Sequence, residues 1–365
     1  MEIYKLVITG GPCGGKSTGL STIDQALVEK GYIVFIVPET ATEIKGGGIS
    51  PALFKNEDFQ KALLELQLKK EYIYYEMAKK IKDKPIVILY DRGALDGKAY
   101  IDNENFSAIL SSLGLNEVHL RDSYDGVFHL KTAADGAEEY YTTENNEQRE
   151  ESVEEARELD QKTLQAWSGH SHLRIIDNNF DSFEDKIDCL MEEIYSLLGI
   201  PCSIEIEKKF LIEYPNLEEL LEKYHCSKIN IVQTYLNSDS NEERRIRQRG
   251  ANGSYSYYYT VKKEINQLSR FEKEKKITSK EYLNLLMDID TSLKQIRKDR
   301  YCFVYGKQYF ELDVYANCTN KAILEIELKS EDQEVELPQF IKVIKEVTND
   351  KAYKNHSLAK NNLLL

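Results

Sequence analysis

Runs of apolar residues alternate with stretches of helical periodicity through the first two hundred positions of the chain. The apolar runs predict buried strands at Tyr4–Thr9, Ile33–Val37, Ile86–Tyr90, Gly126–Leu130 and Leu173–Ile176. The periodic stretches predict helices at Ser17–Lys30, Glu57–Ile81, Glu147–Gln165 and Phe183–Leu198. Strands without polar alternation are typical of parallel sheets covered on both faces, so we expect an α/β domain here.

The pattern changes after Gly199-Ile200-Pro201. Beyond this point tyrosines and β-branched residues alternate with charged residues, and turn signals such as Ala251-Asn252-Gly253 separate the segments. This texture predicts an antiparallel sheet, with helical patches near Asn216–Tyr224 and Ser279–Ser292. We therefore expect two domains, residues 1–199 and residues 200–365.

Composition and charge narrow the class of protein. The 365 residues carry a formal net charge of −14, with 21 basic and 36 acidic residues before position 201. An acidic chain disfavours nucleic acid as a partner, because binding to the phosphate backbone requires a basic surface. No apolar run approaches the ~18 residues of a membrane span, and no charged leader precedes the first strand. A cytoplasmic location is the expectation.

A phosphate-binding motif follows the first predicted strand. Gly10-Gly11-Pro12-Cys13-Gly14-Gly15-Lys16-Ser17, followed by Thr18, fits GxxxxGK[ST] and opens an amphipathic helix. Backbone amides of such a loop surround phosphate oxygens, Lys16 neutralises the β- and γ-phosphates, and the Ser17 hydroxyl binds Mg²⁺. The alternative is a glycine-rich turn that carries a lysine by chance. The position of the motif between a strand and a helix favours Mg²⁺-dependent ATP or GTP binding.

Charged residues follow two other strands of the predicted parallel sheet. Asp91 ends the strand Ile86–Tyr90 and is suited to hold magnesium, while Arg92 either clamps a phosphate or pairs with a carboxylate. Glu39 follows the strand Ile33–Val37. It either accepts a proton from a substrate hydroxyl or serves as an acid at a helix N-terminus.

Two arginines lie in a very acidic helical segment farther along the chain. Arg149 and Arg157 are interpreted as lid residues over the nucleotide phosphates, or as partners in surface pairs with neighbouring glutamates. The segment contains no NKxD-like sequence of the kind that reads guanine. The choice between adenine and guanine therefore stays open.

Motifs across residues 1–199 resemble the kinase-like P-loop family known as AAA-type ATPase 28, which is related to nicotinamide-riboside kinase domains. The matching residues are GGPCGGKST, Pro38-Glu39-Thr40, Tyr90-Asp91-Arg92-Gly93, and the trail Asp160, Trp167, His170 and Asp177-Asn178. The resemblance implies a P-loop NTPase or small-molecule kinase. It does not name the phosphoryl acceptor.

Like charges recur two positions apart in the second half. Glu205, Glu207 and Lys209 share a strand face, and further strands present Arg245, Arg247 and Arg249; Arg270, Glu272 and Glu274; Lys298 and Arg300; Glu311 and Asp313; Glu325 and Glu327. Solvated strand faces explain any one of these. Because like charges so placed repel, their repetition favours a closed sheet whose lumen holds both signs and a polyanion.

This pattern resembles the CYTH family, the triphosphate tunnel metalloenzymes that include thiamine triphosphatases and class IV adenylyl cyclases. The resemblance covers roughly residues 201–360 and implies an α+β antiparallel tunnel barrel. It implies phosphate binding by Lys209, Arg245, Arg247, Lys262 and Arg300. It implies Mg²⁺ or Mn²⁺ binding by Glu205, Glu207, Glu325 and Glu327, assisted by Asp313 and by Glu272 or Glu274. Attack by metal-activated water on a terminal phosphate would follow.

The order of the two domains resembles the TRPL translocation defect family, which is associated with GTP binding, phosphatidic acid and trafficking. Neither an amphipathic anchor nor a lipidation motif is evident, so a membrane lipid is a possible partner that the sequence does not indicate. We expect a nucleotide-binding kinase-like domain joined to a metal-dependent triphosphate hydrolase. The alternatives are a nucleotide switch whose tunnel holds a phosphate headgroup without turnover, and an adenylyl cyclase.

Overall fold

The computed structural model describes residues 2–138, 152–180, 182–200, 206–224, 226–238, 242–264, 270–306, 308–328 and 333–361. It divides into two compact units, Met1–Ile200 and Pro201–Leu365, termed here the N-terminal and C-terminal units. Within the described ranges, no helix combines the length and apolar character that crossing a bilayer requires.

The N-terminal unit is built on a parallel sheet, as predicted. Its strands are β1 (Ile3–Thr9), β2 (Ile33–Val37), β3 (Ile86–Asp91), β4 (Gly126–Leu130) and β5 (Leu173–Ile176). They lie in the order β2-β3-β1-β4-β5 and pair in parallel throughout. The predicted and observed strands differ by at most one residue at either end, because each strand is a mainly apolar run, interrupted only by single residues such as Lys5 in β1 and Arg174 in β5.

Seven helices are described in this unit: α1 (Lys16–Glu29), α2 (Thr40–Gly46), α3 (Asn56–Ala78), α4 (Asn103–Ser112), α5 (Glu117–Arg121), α6 (Val153–Trp167) and α7 (Phe183–Leu198). Helix α6 begins with a capping box of Ser152 and Glu155, and the predicted start at Glu147 lies outside the described residues. The pattern did not predict α2, α4 or α5. Asp102 and Asn116 cap α4 and α5 and were the available signal.

The two faces of the parallel sheet differ in polarity. Helices α1 and α7 cover one face, where Leu20, Ile23 and Leu27 pack against β1 and β4 as their spacing predicted. The other face buries Glu71 and Trp167 among tyrosines and α3 side chains. A buried polar network therefore lies beneath the strand ends that carry the charged residues.

The C-terminal unit contains an antiparallel sheet, as predicted. Its strands are β6 (Ile206–Glu213), β7 (Ser227–Leu236), β8 (Glu242–Ala251), β9 (Ser254–Glu264), β10 (Arg270–Ile277), β11 (Ile296–Tyr305), β12 (Gln308–Tyr315), β13 (Lys321–Leu328) and β14 (Val343–Glu346). The order is β10-β9-β8-β7-β11-β12-β13-β6-β14. Pairing within the described ranges ends at β10 and β14, so closure of the sheet into a barrel stays a prediction.

Short helices α8 (Leu217–Lys223), α9 (Ser279–Leu285) and α10 (Asn355–Asn361) accompany this sheet. The predicted turn at Asn252-Gly253 joins β8 to β9 directly, with φ of 52° and 80°. Positive φ at both positions is the conformation of a type I′ hairpin, which Asn-Gly favours. One sheet face packs an apolar core that includes Ile212, Phe310 and Leu324, and the opposite face carries the charges.

Candidate functional sites

The GxxxxGK[ST] segment forms a tight loop between β1 and α1. Left-handed φ angles at Gly10, Cys13 and Gly15 curl the backbone between strand and helix. Lys16 Nζ turns back onto this loop and donates to the carbonyl oxygens of Gly10 (3.1 Å) and Gly11 (2.7 Å). Burial, helped by the charge of Arg92, lowers the pKa of Lys16 to about 8. The loop has the geometry of a phosphate cradle.

Asp160 on α6 holds this loop from behind. Its Oδ1 accepts hydrogen bonds from the Gly11 amide (2.8 Å) and the Thr132 amide (3.1 Å), and lies 3.1 Å from His129 Nε2. Burial alone would raise the pKa of Asp160, but His129 and the hydrogen bonds lower it to about 2. The sequence analysis named Asp160 only as one of the residues that match the P-loop family, and its position behind the loop was not predicted.

Glu39 and Arg92 meet at the carboxyl ends of β2 and β3. Arg92 Nε donates to Glu39 Oε1 over 2.7 Å, and Nη1 donates to the Gly10 carbonyl over 3.2 Å. Glu39 lies at the start of α2, where the alternative interpretation placed it. Although burial opposes this, Arg92 lowers the pKa of Glu39, which makes it a weak proton acceptor. Arg92 pairs with carboxylates, while its contact with a nucleotide stays a prediction.

Asp91 ends β3 with a half-buried carboxylate. Within the described ranges, no hydrogen bond or ion pair is formed by this carboxylate, and burial together with Glu39 raises its pKa. Ser17 is exposed at the start of α1. Both side chains supply oxygen, the ligand atom that Mg²⁺ prefers, so the predicted pair fits this ion.

Of the two arginines predicted to form a lid, the structure describes one. Arg149 lies outside the described residues. Arg157 on α6 donates from Nε to the Ala134 carbonyl (2.6 Å) and from Nη2 to Glu138 Oε1 (2.8 Å), with the side chain half exposed. Arg157 therefore pairs with a surface glutamate, and its role over phosphates stays a prediction.

In the C-terminal unit, strand register places the predicted charged residues on one face. Arg245 lies opposite Tyr235, Arg300 opposite Asp313, and Glu325 opposite Lys209. The period-two pattern extends this alignment along each strand. We call the resulting surface the charged face; its members are Glu207, Lys209, Arg245, Arg247, Arg249, Lys262, Glu274, Lys298, Arg300, Glu311, Asp313, Glu325 and Glu327. Glu205 lies outside the described residues, as does the side chain of Glu272.

Three arginines of β8 form the cationic part of this face. Arg247 Nη2 donates to both carboxylate oxygens of Glu274, over 2.6 and 2.8 Å. Burial nevertheless lowers the pKa of Arg247, with Glu274 opposing the shift. Arg249 is almost fully buried two residues farther along the strand, a residue for which no role was predicted. Three cations on one strand face favour the binding of an anion such as phosphate.

Arg300 connects the arginines to a carboxylate cluster. It donates to both oxygens of Asp313 over 2.7 Å, to Glu325 over 2.7 Å, and to Glu311. Lys298 also donates to Asp313, which is fully buried. Asp313 is thus held by two cations. The predicted roles of Arg300 on phosphate and of Asp313 on metal stay predictions.

Glu207 and Glu327 lie directly opposite each other on β6 and β13. Like charges in this register repel unless a cation joins them. Lys209 Nζ lies 3.2 Å from Glu207 and 3.0 Å from Glu325. Although burial opposes it, these two carboxylates raise the pKa of Lys209. No cluster of at least three acidic, histidine or cysteine side chains is arranged for a metal within the described ranges. The oxygen donors of Glu207 and Glu327 nevertheless fit Mg²⁺ or Mn²⁺.

Comparison with known proteins matches both halves of the chain. A family model described as AAA domain matches residues 5–186, and one described as CYTH domain matches residues 203–360. Inorganic triphosphatase of Nitrosomonas europaea is 36% identical over 165 residues, which span 42% of this chain and 96% of that protein. Both resemblances that the sequence predicted are confirmed, in the predicted order.

Solved structures also resemble the C-terminal part of the chain in sequence. The inorganic triphosphatase NE1496 shares 31% identity, covering 44% of this chain and 96% of that chain, with a TM-score of 0.32. The PH1819 protein from Pyrococcus horikoshii shares 22% identity, covering 35% of this chain and 81% of that chain, with a TM-score of 0.27.

Proposed function

Because the chain belongs to the CYTH domain family through residues 203–360 and carries an AAA domain before it, we propose that its C-terminal unit binds and hydrolyses a triphosphate compound with a divalent cation. The observation that carries the proposal is the charged face, where buried arginines adjoin a carboxylate cluster. The name of the relative, inorganic triphosphatase, makes inorganic tripolyphosphate the first substrate to test.

Different residues of the charged face would bind the phosphates and the metal ion. Arg245, Arg247 and Lys209 would hold phosphate oxygens, since buried cations form short charge-assisted hydrogen bonds with them. Glu207 and Glu327 would hold Mg²⁺ or Mn²⁺. When bound, that ion supplies charge neutralisation and an activated water. Asp313 would fix the guanidinium of Arg300 through its paired hydrogen bonds, so that Arg300 presents one orientation.

For the N-terminal unit we propose Mg²⁺-dependent binding of ATP or GTP, leading to hydrolysis or to phosphoryl transfer. The curled loop and its buried Lys16 support phosphate binding. Ser17 and Asp91 supply oxygen donors for the ion. The lowered pKa of Glu39 argues against it as the sole proton acceptor. Phosphoryl transfer does not depend on a strong base, because its catalysis rests on positioning and on stabilisation of charge.

The test is phosphate release by the full chain from tripolyphosphate, ATP, GTP and thiamine triphosphate, each with Mg²⁺ or Mn²⁺. We expect tripolyphosphate hydrolysis that survives Lys16→Ala, because that substitution touches only the N-terminal loop. Absence of turnover with every substrate, combined with tight binding of phosphatidic acid vesicles, would instead establish a non-catalytic headgroup-binding unit.

A further inference from the structure

An exposed aromatic ring lies against the phosphate-binding loop. Phe183, the first residue of α7, is 42% exposed. A Cβ atom added at Gly15 would lie 2.5 Å from Cε2 and 2.7 Å from Cζ of this ring. Gly15 immediately precedes Lys16, and its φ of 88° already excludes most side chains. Single exposed apolar residues are common, so the position of this ring, rather than its exposure, is informative.

The two sides of the loop differ in what surrounds them. On the side of β2 and β3, Glu39, Arg92 and Asp91 line the strand ends. On the side of β4 and β5, Asn178 Nδ2 donates to the carbonyls of Thr132 and Asp135, both over 2.8 Å. Ligands of open α/β sheets lie across the carboxyl ends of the strands. The charges of Lys131 and Asp135 on this side neutralise each other in an ion pair of 2.8 Å, so the organic part of a nucleotide can leave the loop between β4 and β5.

The backbone that carries this ring is held in place by the first turn of α7. Lys186, one turn into α7, donates to the Lys131 carbonyl over 2.8 Å and to Asn178 Oδ1 over 2.7 Å. These bonds join α7 to the segments that follow β4 and β5. Phe183 consequently stands at a defined place beside the loop, with one part of its ring against Gly15 and the rest open to solvent.

We propose that Phe183 is the stacking platform for the nucleobase of a purine nucleoside triphosphate whose phosphates lie in the Gly10–Ser17 loop. This inference rests on the proposed nucleotide binding by the N-terminal unit. Stacking of a base on an aromatic side chain tolerates different bases, since every base has a π-face, and the larger purine face gains more contact. Asn179, beyond β5, is exposed; its Nδ2 donates to Asp177 Oδ2 over 3.2 Å, and its second amide hydrogen and its oxygen can meet the edge of such a base.

The experiment is calorimetric titration of the full chain carrying Arg245→Ala and Arg247→Ala, which suppresses binding of the titrants by the charged face. ATP, GTP and tripolyphosphate are each titrated with Mg²⁺, and Lys16→Ala identifies the part of the binding that belongs to the loop. Phe183→Ala is expected to weaken Lys16-dependent ATP and GTP binding about tenfold and to leave tripolyphosphate binding unchanged. Phe183→Tyr is expected to retain wild-type nucleotide affinity.

Phe183→Leu separates stacking from packing, because leucine still fills the space beside Gly15 but has no π-face. Nucleotide binding as weak as in Phe183→Ala supports the proposal. Wild-type affinity in Phe183→Leu, or equal loss of tripolyphosphate and nucleotide binding in Phe183→Ala, would overturn it while leaving nucleotide binding in place. Absence of any Lys16-dependent nucleotide binding would overturn the proposed function of the unit and this inference together.

Discussion

The two units offer phosphate two different kinds of site. In the N-terminal unit, the cradle is one contiguous stretch of backbone, curled by left-handed residues and completed by Lys16. In the C-terminal unit, the charged face is made of side chains from seven strands, spaced far apart in sequence. A site made of contiguous backbone can be recognised in the sequence as a motif. A site made of side chains from several strands appears in the sequence only as a repeated period-two pattern, and strand register then brings those side chains together.

The electrostatics of the two sites differ as well. Burial and the neighbouring Arg92 lower the pKa of Lys16 to about 8. Carboxylates on the charged face raise the pKa of Lys209 despite its burial. Lys209 is thus embedded among anions and stays charged over a wider pH range than Lys16. The cation of the first site titrates close to physiological pH.

The largest expected effect on activity is that of Arg245→Ala on β8. Comparison with the adjacent Arg244 tests whether the charged face alone hydrolyses triphosphate. Arg245 lies on that face, while Arg244 points to the other and donates to Tyr259 OH over 2.7 Å. Arg245→Ala is expected to lower kcat/KM for tripolyphosphate about a hundredfold, as loss of a buried charge-assisted contact predicts. Arg244→Ala is the matched control and should change it less than about threefold. An equal fall of kcat/KM in both variants would contradict the assignment of triphosphate hydrolysis to the charged face.

Lys16→Ala tests the N-terminal site in the same way. We expect it to weaken ATP or GTP binding about thirtyfold, because it removes a cation that contacts the loop carbonyls and leaves Arg92 at the Gly10 carbonyl. Tripolyphosphate hydrolysis should be unchanged. Isothermal titration and phosphate release measure the two effects on one preparation, and a matching fall in hydrolysis would show that the loop, rather than the charged face, turns over triphosphate.

The pH dependence of the two sites should also differ. Lys16 must be protonated to bind phosphate, and its lowered pKa of about 8 means that it is charged below this pH and loses its proton above it. Nucleotide affinity should therefore be constant below pH 8 and fall up to about tenfold per pH unit above it. Lys16→Arg should remove the dependence, since arginine stays protonated. An unchanged slope in that variant would assign the titration to another group.

The smallest expected effect concerns the support of the loop by Asp160. Its folded-state pKa of about 2 lies below its ordinary value, so its charge stabilises the unit above about pH 4, and this stability is lost as pH falls toward 2. Asp160→Asn should reduce the free energy of unfolding by about 2 kcal/mol at neutral pH. Glu158→Gln, on the exposed surface of α6, is the control. Urea unfolding measures both, and a pH-independent difference for Asp160→Asn would contradict the role of its charge.

Sequence reasoning succeeded where one local signal determines structure. The five parallel strands are mainly apolar runs, and the loop motif stands between a strand and a helix. Residues separated in sequence were harder to connect. Asp160 reaches Gly11 across 149 positions, and nothing in its surrounding helix indicates this contact.

On the charged face, alternation predicted which residues share a strand face but not which charges neutralise one another. Arg300 contacts Asp313, Glu325 and Glu311 because register brings β11, β12 and β13 together. The resemblance assigned Arg300 to phosphate and Asp313 to metal without this pairing. Partners of buried charges depend on cross-strand register, which a single sequence does not specify.

Anomalous diffraction from crystals of the full chain grown with Mn²⁺ and tripolyphosphate would locate the ion and the phosphates together. The proposed function predicts a manganese peak between Glu207 and Glu327, with phosphate density against Arg245 and Arg247. Manganese and triphosphate found only at Ser17 and Lys16, with the charged face unchanged, would contradict it.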